Sequence, residues 1–300
     1  MMNAKGPRLI SNDWRGIKNK VISYYESTFI DYKLMWYTSH DLSLHFGFAD
    51  KPGMSHSEII NNENRFLAHA VKLRKADYVL DAGCGVGGSS IWIAKNYGAR
   101  VVGITISKSQ VDESIKNAKL NNVEKLTKFY EMDFHDVSFK DNTFDVVWAI
   151  VSFCQSWNRD RLLKEMFRIL KPGGRLIVSD AFRKNSPIHS KEGDYFEKCL
   201  KGFAIYNLFS WDQFGRELSG HGFGNIISWD KTKEIMPSCK RMYWTAIATY
   251  PFWITARLLR LIPKARYDNA MSCLAQWNTL KKGYWVYGVY YAEKPRGKNK

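Results

Sequence analysis

The feature that most constrains the fold of this chain is a glycine loop that joins a short apolar run to a helix-like segment. Residues 78–97 read YVLDAGCGVGGSSIWIAKNY, in which Gly83, Gly85 and Gly88 have the spacing G-x-G-x-x-G. Glycines at these positions permit a tight turn and let a ligand approach the backbone closely. The segment is therefore predicted to form the first strand, loop and helix of a nucleotide-binding α/β sheet.

Strand and helix signals keep alternating along the middle of the chain. β-branched runs such as RVVGITIS and TFDVVWAIV are separated by segments with a helical spacing of apolar residues, such as RDRLLKEMFRIL. A last aromatic run, GYWVYGVYYAEKP, follows much later. Repeated β-α units of this length predict a doubly wound, mostly parallel sheet of the α/β class.

Three regions lie outside this alternation. Residues 1–75 precede it and have helical character, while residues 183–210 and 232–282 interrupt it after the fifth strand and before the last one. Ligands of open α/β sheets bind beyond the carboxyl ends of the strands. We therefore predict a helical segment, 1–75, that closes over the ligand, and a core domain, 76–300, whose two insertions cap a substrate pocket.

The charge of the chain is strongly basic and unevenly distributed. The formal net charge is +16, and residues 231–300 hold fourteen Lys or Arg against three Asp or Glu. A basic surface attracts anionic lipid headgroups, phosphorylated substrates or nucleic acid, although it can equally be a solvated face. Because no RNA-recognition motif occurs, nucleic acid is not an expected partner. Peripheral contact with an anionic membrane stays open.

An unusually aromatic stretch lies within the basic region. Residues 243–262 carry no charge except two arginines, and Pro251 interrupts the run. The stretch could lie at a membrane interface, with Trp244, Phe252 and Trp253 among the headgroups. It could instead form a lid over the substrate, or be an amphipathic core helix. The sequence leaves these three alternatives open.

The cysteines bear on the compartment in which the protein works. All five are scattered, without a C-x-x-C pair, and this arrangement predicts neither a disulfide framework nor a metal site. The amino-terminal residues lack the continuous apolar run of a secretion signal. We therefore expect a cytoplasmic protein without a metal, and the sequence carries no signal for its oligomeric state.

Two features of the glycine loop argue against a nicotinamide dinucleotide as its ligand. Asp81 stands two residues before the first glycine, where the dinucleotide fingerprint does not require an acid. The next strand, RVVGITIS, ends without the Asp or Glu that would bind a ribose hydroxyl. A dehydrogenase is therefore disfavoured.

The motifs together resemble a known family. VLDAGCGVGGSSIWIA resembles the first motif of class I S-adenosylmethionine (SAM)-dependent methyltransferases, and EMDFHDVSFKDNTFDVVWA and EMFRILKPGGRLIVSD resemble later ones. VVGITISKSQ and LHFGF are similar to segments of the subgroup that contains sterol C-methyltransferases, tocopherol methyltransferases and cyclopropane fatty acid synthases. The resemblance covers about residues 20–182 and the last strand. It implies a Rossmann-like, seven-stranded sheet whose last strand is antiparallel, with SAM as the cofactor.

The resemblance also implies which residues bind the cofactor. They follow the first four strands: Asp81, Ala82, Gly83, Gly85, Ile104, Thr105, Gln110, Asp133, Phe134 and Ile150. Asp81 would accept a hydrogen bond from the cationic amino group of SAM, with the backbone of the glycine loop beside it. Ile104, Thr105 and Gln110 would lie near the ribose. Asp133 and Phe134 would lie at the adenine, and Ile150 would lie under the sulfonium.

Several of these residues could instead have a purely structural role that involves no ligand. Ser107 and Gln110 form an S-x-x-Q capping box, which would explain both residues without a ligand. Asp133 could simply end a strand. His45, which the resemblance places over the cofactor, could be a hydrogen-bonded packing residue.

The sequence names no secure acid or base. Val151 and Gln155 stand where the subgroup often has Glu and His, so no acid-base pair follows from the resemblance. His45 and Tyr25 remain the catalytic candidates, on residue type alone.

These observations predict a SAM-dependent methyltransferase that acts on a hydrophobic, isoprenoid- or lipid-like small molecule, at carbon. Aromatic side chains are abundant outside the predicted core, and aromatic faces stabilise sulfonium ions and carbocations. One alternative is a small-molecule O- or N-methyltransferase that acts on a phenol, quinone or amine. The other is a non-catalytic binding protein with the same fold, against which the intact glycine loop argues.

Overall fold

The computed structural model describes residues 14–35, 42–43, 45–184, 190–206 and 208–297. Within these residues the chain forms one seven-stranded sheet. The strands are β1 (Tyr78–Ala82), β2 (Arg100–Thr105), β3 (Thr127–Glu131), β4 (Phe144–Ile150), β5 (Leu170–Arg183), β6 (Gly224–Asp230) and β7 (Trp285–Glu293).

The order of the strands in the sheet is β3-β2-β1-β4-β5-β7-β6. Strands β1 to β5 pair in parallel, whereas β7 lies antiparallel between β5 and β6. The predicted Rossmann-like topology with an antiparallel last strand is therefore confirmed. Strand order reverses at β1, between β2 and β4, and such a switch point opens a crevice at the carboxyl ends of the strands.

The described residues contain nine α-helices. They are α1 (Trp14–Met35), α2 (His56–Ala70), α3 (Gly88–Tyr97), α4 (Lys108–Leu120), α5 (Arg159–Ile169), α6 (Ser190–Gly202), α7 (Trp211–Gly220), α8 (Thr232–Leu258) and α9 (Lys264–Lys281). Helices α1 and α2 fall in the predicted amino-terminal segment, and α6, α8 and α9 fall in the two predicted insertions. None of the described helices combines the length and apolar character that crossing a membrane requires.

Two apolar clusters form the core on opposite faces of the sheet. Neighbouring residues of β1 and β4 alternate between them: Val79 and Trp148 belong to one cluster, and Leu80 and Val147 to the other. All four side chains are buried. Because the side chains of a strand alternate between faces, a strand that is apolar at every position is covered on both sides. Apart from Asp81, the run YVLDA is apolar for this reason.

Helices α1, α6, α8 and α9 form a cap over one end of the sheet. Helix α9 packs against the other three. Its Arg266 forms a bidentate ion pair with Asp31 of α1, with Nε 2.9 Å from Oδ2, and Tyr24 of α1 donates to Asn269 at 2.7 Å. The amino-terminal helix is thus tied to the second insertion through a partly buried ion pair and a buried hydrogen bond.

Helix α8 continues through Pro251, where the sequence suggested an interruption. Proline lacks the N–H that would bond to the carbonyl of Ile247. Ile247 lies on the exposed side of the helix, and the other side packs on α9. Tertiary packing therefore holds the helix across the missing hydrogen bond.

The two neighbouring aromatics of α8 have different environments. Phe252 is 57% exposed, as is Trp244, whereas Trp253 is 3% exposed and its indole N–H donates to Thr249. Of the three alternatives for this stretch, placement of Trp253 among lipid headgroups does not fit its burial. Consecutive helical residues point about 100° apart, so Phe252 can face outward while Trp253 faces inward.

Candidate active site

A cavity of about 180 Å³ lies at the carboxyl ends of the parallel strands, under the cap. Eight of the ten predicted cofactor-binding residues line it: Asp81, Gly83, Gly85, Thr105, Gln110, Asp133, Phe134 and Ile150. Both catalytic candidates, His45 and Tyr25, line it as well. Parallel strands bring these residues together because their carboxyl ends meet at one edge of the sheet.

Ala82 and Ile104 lie behind the cavity and do not line it. The carbonyl of Ala82 accepts from the Ser152 hydroxyl at 2.6 Å. The carbonyl of Ile104 accepts from the N–H groups of Gly83 and Cys84, both at 2.9 Å. These two carbonyl groups hold the loops that form the cavity wall, and contact of Ala82 and Ile104 with the cofactor stays a prediction.

Gly83 is required by the loop that follows β4. Its φ is +95°, and a Cβ atom built on it would lie 2.4 Å from the Cβ atom of Ser152. Any larger residue would therefore meet both a strained backbone angle and a neighbouring loop. The glycine permits contact between two loops of the site, in addition to any approach of a ligand.

Asp81 supplies a buried carboxylate at the end of β1. It is 2% exposed and accepts a hydrogen bond from the Ser90 hydroxyl at 2.6 Å. Burial raises the pKa of Asp81 to about 6, an effect that the Ser90 hydrogen bond and the nearby His45 only partly offset. A buried carboxylate without a paired cation is costly, so this position suits a ligand that carries a positive charge.

The end of β2 offers a second polar group. Thr105 donates to Gln110 Oε1 at 2.7 Å, and Gln110 Nε2 is buried without a partner among the described atoms. Ser107 caps α4 by accepting from the backbone N–H of Gln110 at 3.2 Å. N-terminal capping of α4 therefore explains Ser107. The side-chain amide of Gln110 retains a hydrogen-bond donor at the cavity wall.

Asp133 is already engaged by a histidine and a lysine. Its Oδ1 accepts from the Nδ1 of His135 at 2.7 Å, and its Oδ2 lies 3.1 Å from Lys18. Burial acts to raise the pKa of Asp133, but hydrogen bonds and charge from His135 and Lys18 outweigh it and hold the pKa well below its ordinary value. An adenine amino group would have to share this carboxylate with Lys18, which comes from α1.

A chain of hydrogen bonds runs through His45. Its Nε2 lies 2.6 Å from Ser43 Oγ, and its Nδ1 lies 2.8 Å from Glu63 Oε2. The other oxygen of Glu63 accepts from the hydroxyls of Ser179 and Tyr287. A carboxylate that accepts on both oxygens takes its hydrogen bond from Nδ1–H, so Nε2 becomes the acceptor for the Ser43 hydroxyl. Ser43 and His45 both line the cavity.

Tyr25 is a hydrogen-bond donor in this structure. Its hydroxyl donates to Gln155 Oε1 at 2.6 Å, and Gln155 Nε2 donates to the carbonyl of Phe203 at 3.2 Å. Burial raises the pKa of Tyr25 well above its ordinary value. The phenolate is therefore disfavoured near neutral pH, and the geometry favours Tyr25 as a positioning group over a proton acceptor.

The loop after β4 carries backbone strain. Val151 has a φ of +46°, a conformation that β-branched residues rarely adopt. Its N–H donates to the carbonyl of Ser179 at 2.8 Å, which holds the conformation in place. Such outliers cluster at functional sites, and Val151 lines the cavity.

The remaining lining of the cavity is mostly apolar. It comes from the amino-terminal segment, the first insertion, α8 and β7: Phe46, Phe196, Leu200, Phe203, Ile205, Leu208, Met242 and Trp285. Lys18 is the single Lys or Arg among the described lining residues, and Asp133 already binds it. The cavity is thus polar at the carboxyl ends of the strands and apolar on its other sides.

Sequence reasoning missed Glu63 and Ser43. Glu63 has a detectable signal, since it falls on the apolar stripe of α2 with Ile59, Ile60 and Leu67, all buried. A carboxylate on the buried face of a helix needs a partner. Ser43 has no such signal, because it lies in an irregular segment.

Comparison with known proteins agrees with this architecture. Residues 80–178 match the family model described as a methyltransferase domain. The sterol 24-C-methyltransferase of Saccharomyces cerevisiae is 32% identical over 174 residues, which cover 56% of this chain and 44% of that protein. The chain thus spans less than half the length of this curated relative.

Solved structures resemble the chain over most of its length. The cyclase SpnF has a TM-score of 0.76 and 22% identity, covering 92% of this chain and 96% of that one. The geranyl diphosphate C-methyltransferase of Streptomyces coelicolor, solved with Mg²⁺, geranyl diphosphate and S-adenosyl-L-homocysteine, has a TM-score of 0.70 and 16% identity, covering 96% and 100%. At these identities the likeness shows the fold.

Proposed function

We propose that the chain is a class I SAM-dependent methyltransferase of the sterol C-methyltransferase subgroup. In this role it transfers a methyl group from SAM to carbon in an uncharged isoprenoid- or lipid-like acceptor. The observation that carries the proposal is that one cavity combines the buried carboxylate of Asp81 with a mostly apolar, aromatic lining. The curated relatives that match include sterol C-methyltransferases.

The residues at the strand ends fit the cofactor. Asp81 would accept from its cationic amino group, and the unpartnered Nε2 of Gln110 would donate to a ribose oxygen. Asp133 and Phe134 would meet the adenine. When bound there, SAM supplies a methyl group activated by the positive sulfur. The protein's task is to align the acceptor with that methyl group and to exclude water.

Methylation of an alkene carbon requires two things from the protein. Positive charge develops on the acceptor, and aromatic faces such as those of Phe46 and Trp285 stabilise it. A proton must then leave a neighbouring carbon. We propose that the Ser43 hydroxyl takes this proton while passing its own to His45 Nε2, and that Glu63 holds the imidazole in the accepting tautomer.

Glu63→Gln should lower kcat by about 100-fold or more, because an amide can donate to Nδ1 and so favours the wrong tautomer of His45. The KM for SAM should stay unchanged. Methyl transfer would be followed by initial rates, and the folded state by thermal unfolding. Ser179→Ala is the matched control, since it removes a donor to the other oxygen of Glu63. A folded Glu63→Gln protein with a normal kcat would contradict proton transfer through Ser43 and His45.

The proposed activity is tested with SAM that carries a ¹³C-labelled methyl group. The purified protein is incubated with a lipid extract and, separately, with polar phenols and amines, and the products are examined by NMR. We expect label in the lipid fraction as a carbon-bound methyl, which its chemical shift distinguishes from methyl on oxygen or nitrogen. Label on oxygen or nitrogen would favour the small-molecule alternative, and SAM binding without transfer would favour the binding-protein alternative.

We further propose that the protein works at the cytoplasmic surface of an anionic membrane. The outward stripe of α8 carries no charge between Trp244 and Leu259. Its members are exposed, and they recur with helical spacing: Trp244, Ile247, Ala248, Pro251, Phe252, Thr255, Leu258 and Leu259. A helix that is apolar on its outer face as well as its inner one is unusual in water.

Basic residues lie at both ends of this stripe. Lys240 and Arg241 precede it, and Arg260 and Lys264 follow it, all of them exposed. An interfacial helix of this kind buries its apolar face among acyl chains while cations meet anionic headgroups. This arrangement supports delivery of a hydrophobic acceptor from the bilayer to a cap built on the same helix.

A further inference from the structure

A second cavity lies behind the first, between α1, α8 and α9. Its volume is about 60 Å³. Its lining comes from three helices: Asp31, Tyr32, Met242, Thr245, Ala246, Thr249, Trp253, Asn269, Ala270 and Cys273. Two of these residues, Tyr32 and Met242, line the first cavity as well. The two spaces are therefore separated by a shared wall of two side chains.

Several polar residues around the second cavity are engaged in hydrogen bonds or ion pairs. Asp31 is paired with Arg266, the Thr249 hydroxyl donates to the carbonyl of Thr245 at 2.8 Å, and Asn269 Oδ1 accepts from Tyr24. What these residues present to the cavity is therefore largely hydrocarbon. An apolar void of this kind favours an apolar occupant.

The two side chains of the wall differ in mobility. The Tyr24 hydroxyl donates to Asn269, so the Tyr32 hydroxyl, 2.7 Å away, donates to Tyr24 and is held in place. Met242 is unbranched and has three rotatable bonds, so it adapts to irregular space. Movement of Met242 alone would join the two cavities.

We propose that the second cavity receives the far end of a long isoprenoid acceptor, and that Met242 and Ala246 set the chain length that the protein accepts. This inference rests on the proposed function. A volume of about 60 Å³ holds roughly four water-sized groups, close to the five carbons of one isoprene unit. The second cavity therefore distinguishes acceptors that differ by one such unit.

The test uses geraniol, farnesol and geranylgeraniol, which contain two, three and four isoprene units. Binding is measured by the change in tryptophan fluorescence, to which Trp253 in the second cavity contributes, in the presence of S-adenosylhomocysteine so that no turnover occurs. Ala246→Phe fills the second cavity. It should weaken binding of the longest alcohol that the natural protein holds by roughly tenfold or more, and leave the shortest unchanged.

Ala248→Phe is the matched control, because it adds the same ring to the exposed side of the same helix. It should alter none of the three affinities. If Ala246→Phe does not fold, Thr249→Leu tests the same cavity. Met242→Ala should shift the preference toward the longer alcohol.

The outcomes separate this inference from the proposed function. A length-selective loss of binding supports the second cavity even if no alcohol or lipid is methylated. Equal effects of Ala246→Phe on all three alcohols, or none on any, overturn it even if methyl transfer is observed.

Discussion

Asp81→Asn is expected to stabilise the cofactor-free protein at pH 7.5 and to weaken its binding of SAM. Burial raises the pKa of Asp81 to about 6 in the folded chain, against an ordinary value of 3.8. Between these values the folded state holds a proton that the unfolded state has lost. The free energy of unfolding therefore falls as pH rises from about 4 to about 6, by on the order of 3 kcal/mol.

Asparagine removes the free-energy cost of holding an ionised carboxylate in the interior. The variant should therefore unfold roughly 2–6 °C higher at pH 7.5. The same change removes a charge-assisted hydrogen bond, so SAM should bind about 10- to 150-fold more weakly. Thermal unfolding and calorimetry measure the two effects. The pH series is its own control, since the stability difference should shrink toward pH 4.5.

Two results would contradict this assignment. One is an Asp81→Asn protein that binds SAM as tightly as the natural protein. The other is a stability difference that does not depend on pH. The natural protein should also bind SAM more weakly as pH falls below about 6, where Asp81 becomes protonated.

Replacing Trp244, Phe252 and Leu258 together by Ser should reduce binding to vesicles that contain phosphatidylserine by roughly 100-fold. Each residue loses about 1 kcal/mol of apolar burial in the bilayer, and each 1.4 kcal/mol corresponds to tenfold in affinity. All three side chains are more than half exposed, so the fold and the affinity for SAM should not change. Co-sedimentation with vesicles measures the effect.

A matched variant replaces Leu120, Tyr130 and Ile227 by Ser. These side chains are also exposed, but they lie on α4, β3 and β6. Vesicle binding should survive this change. In the natural protein it should weaken as salt rises, because ions screen the basic residues that flank the stripe. Equal losses in both variants, or no binding at any salt, would refute membrane contact through α8.

Local patterns account for the parts of the structure that could be predicted. The sheet follows from the alternation of apolar runs and helical segments, and the glycine loop follows from turn chemistry. The positions of Asp81, Thr105 and Asp133 follow in turn, because each stands at or just beyond the end of a parallel strand. Spacing does not reveal that the carbonyl groups of Ala82 and Ile104 accept hydrogen bonds from Ser152 and from the glycine loop.

Contacts between distant residues could not be predicted. Tyr25 meets Gln155 across 130 positions, and Asp31 meets Arg266 across 235. Each pair depends on how the cap helices pack on the sheet, and packing responds to the shape of the whole interior.

The sequence by itself determined the sheet, the loop at β1 and the motifs by which the chain resembles class I SAM-dependent methyltransferases, because these depend on interactions between near neighbours. Only the tertiary structure decided that His45 is held by Glu63, that Trp253 faces inward while Phe252 faces outward, and that a second cavity adjoins the first. The physical reason is that burial, and with it the state of a buried charge, is a property of the packed molecule.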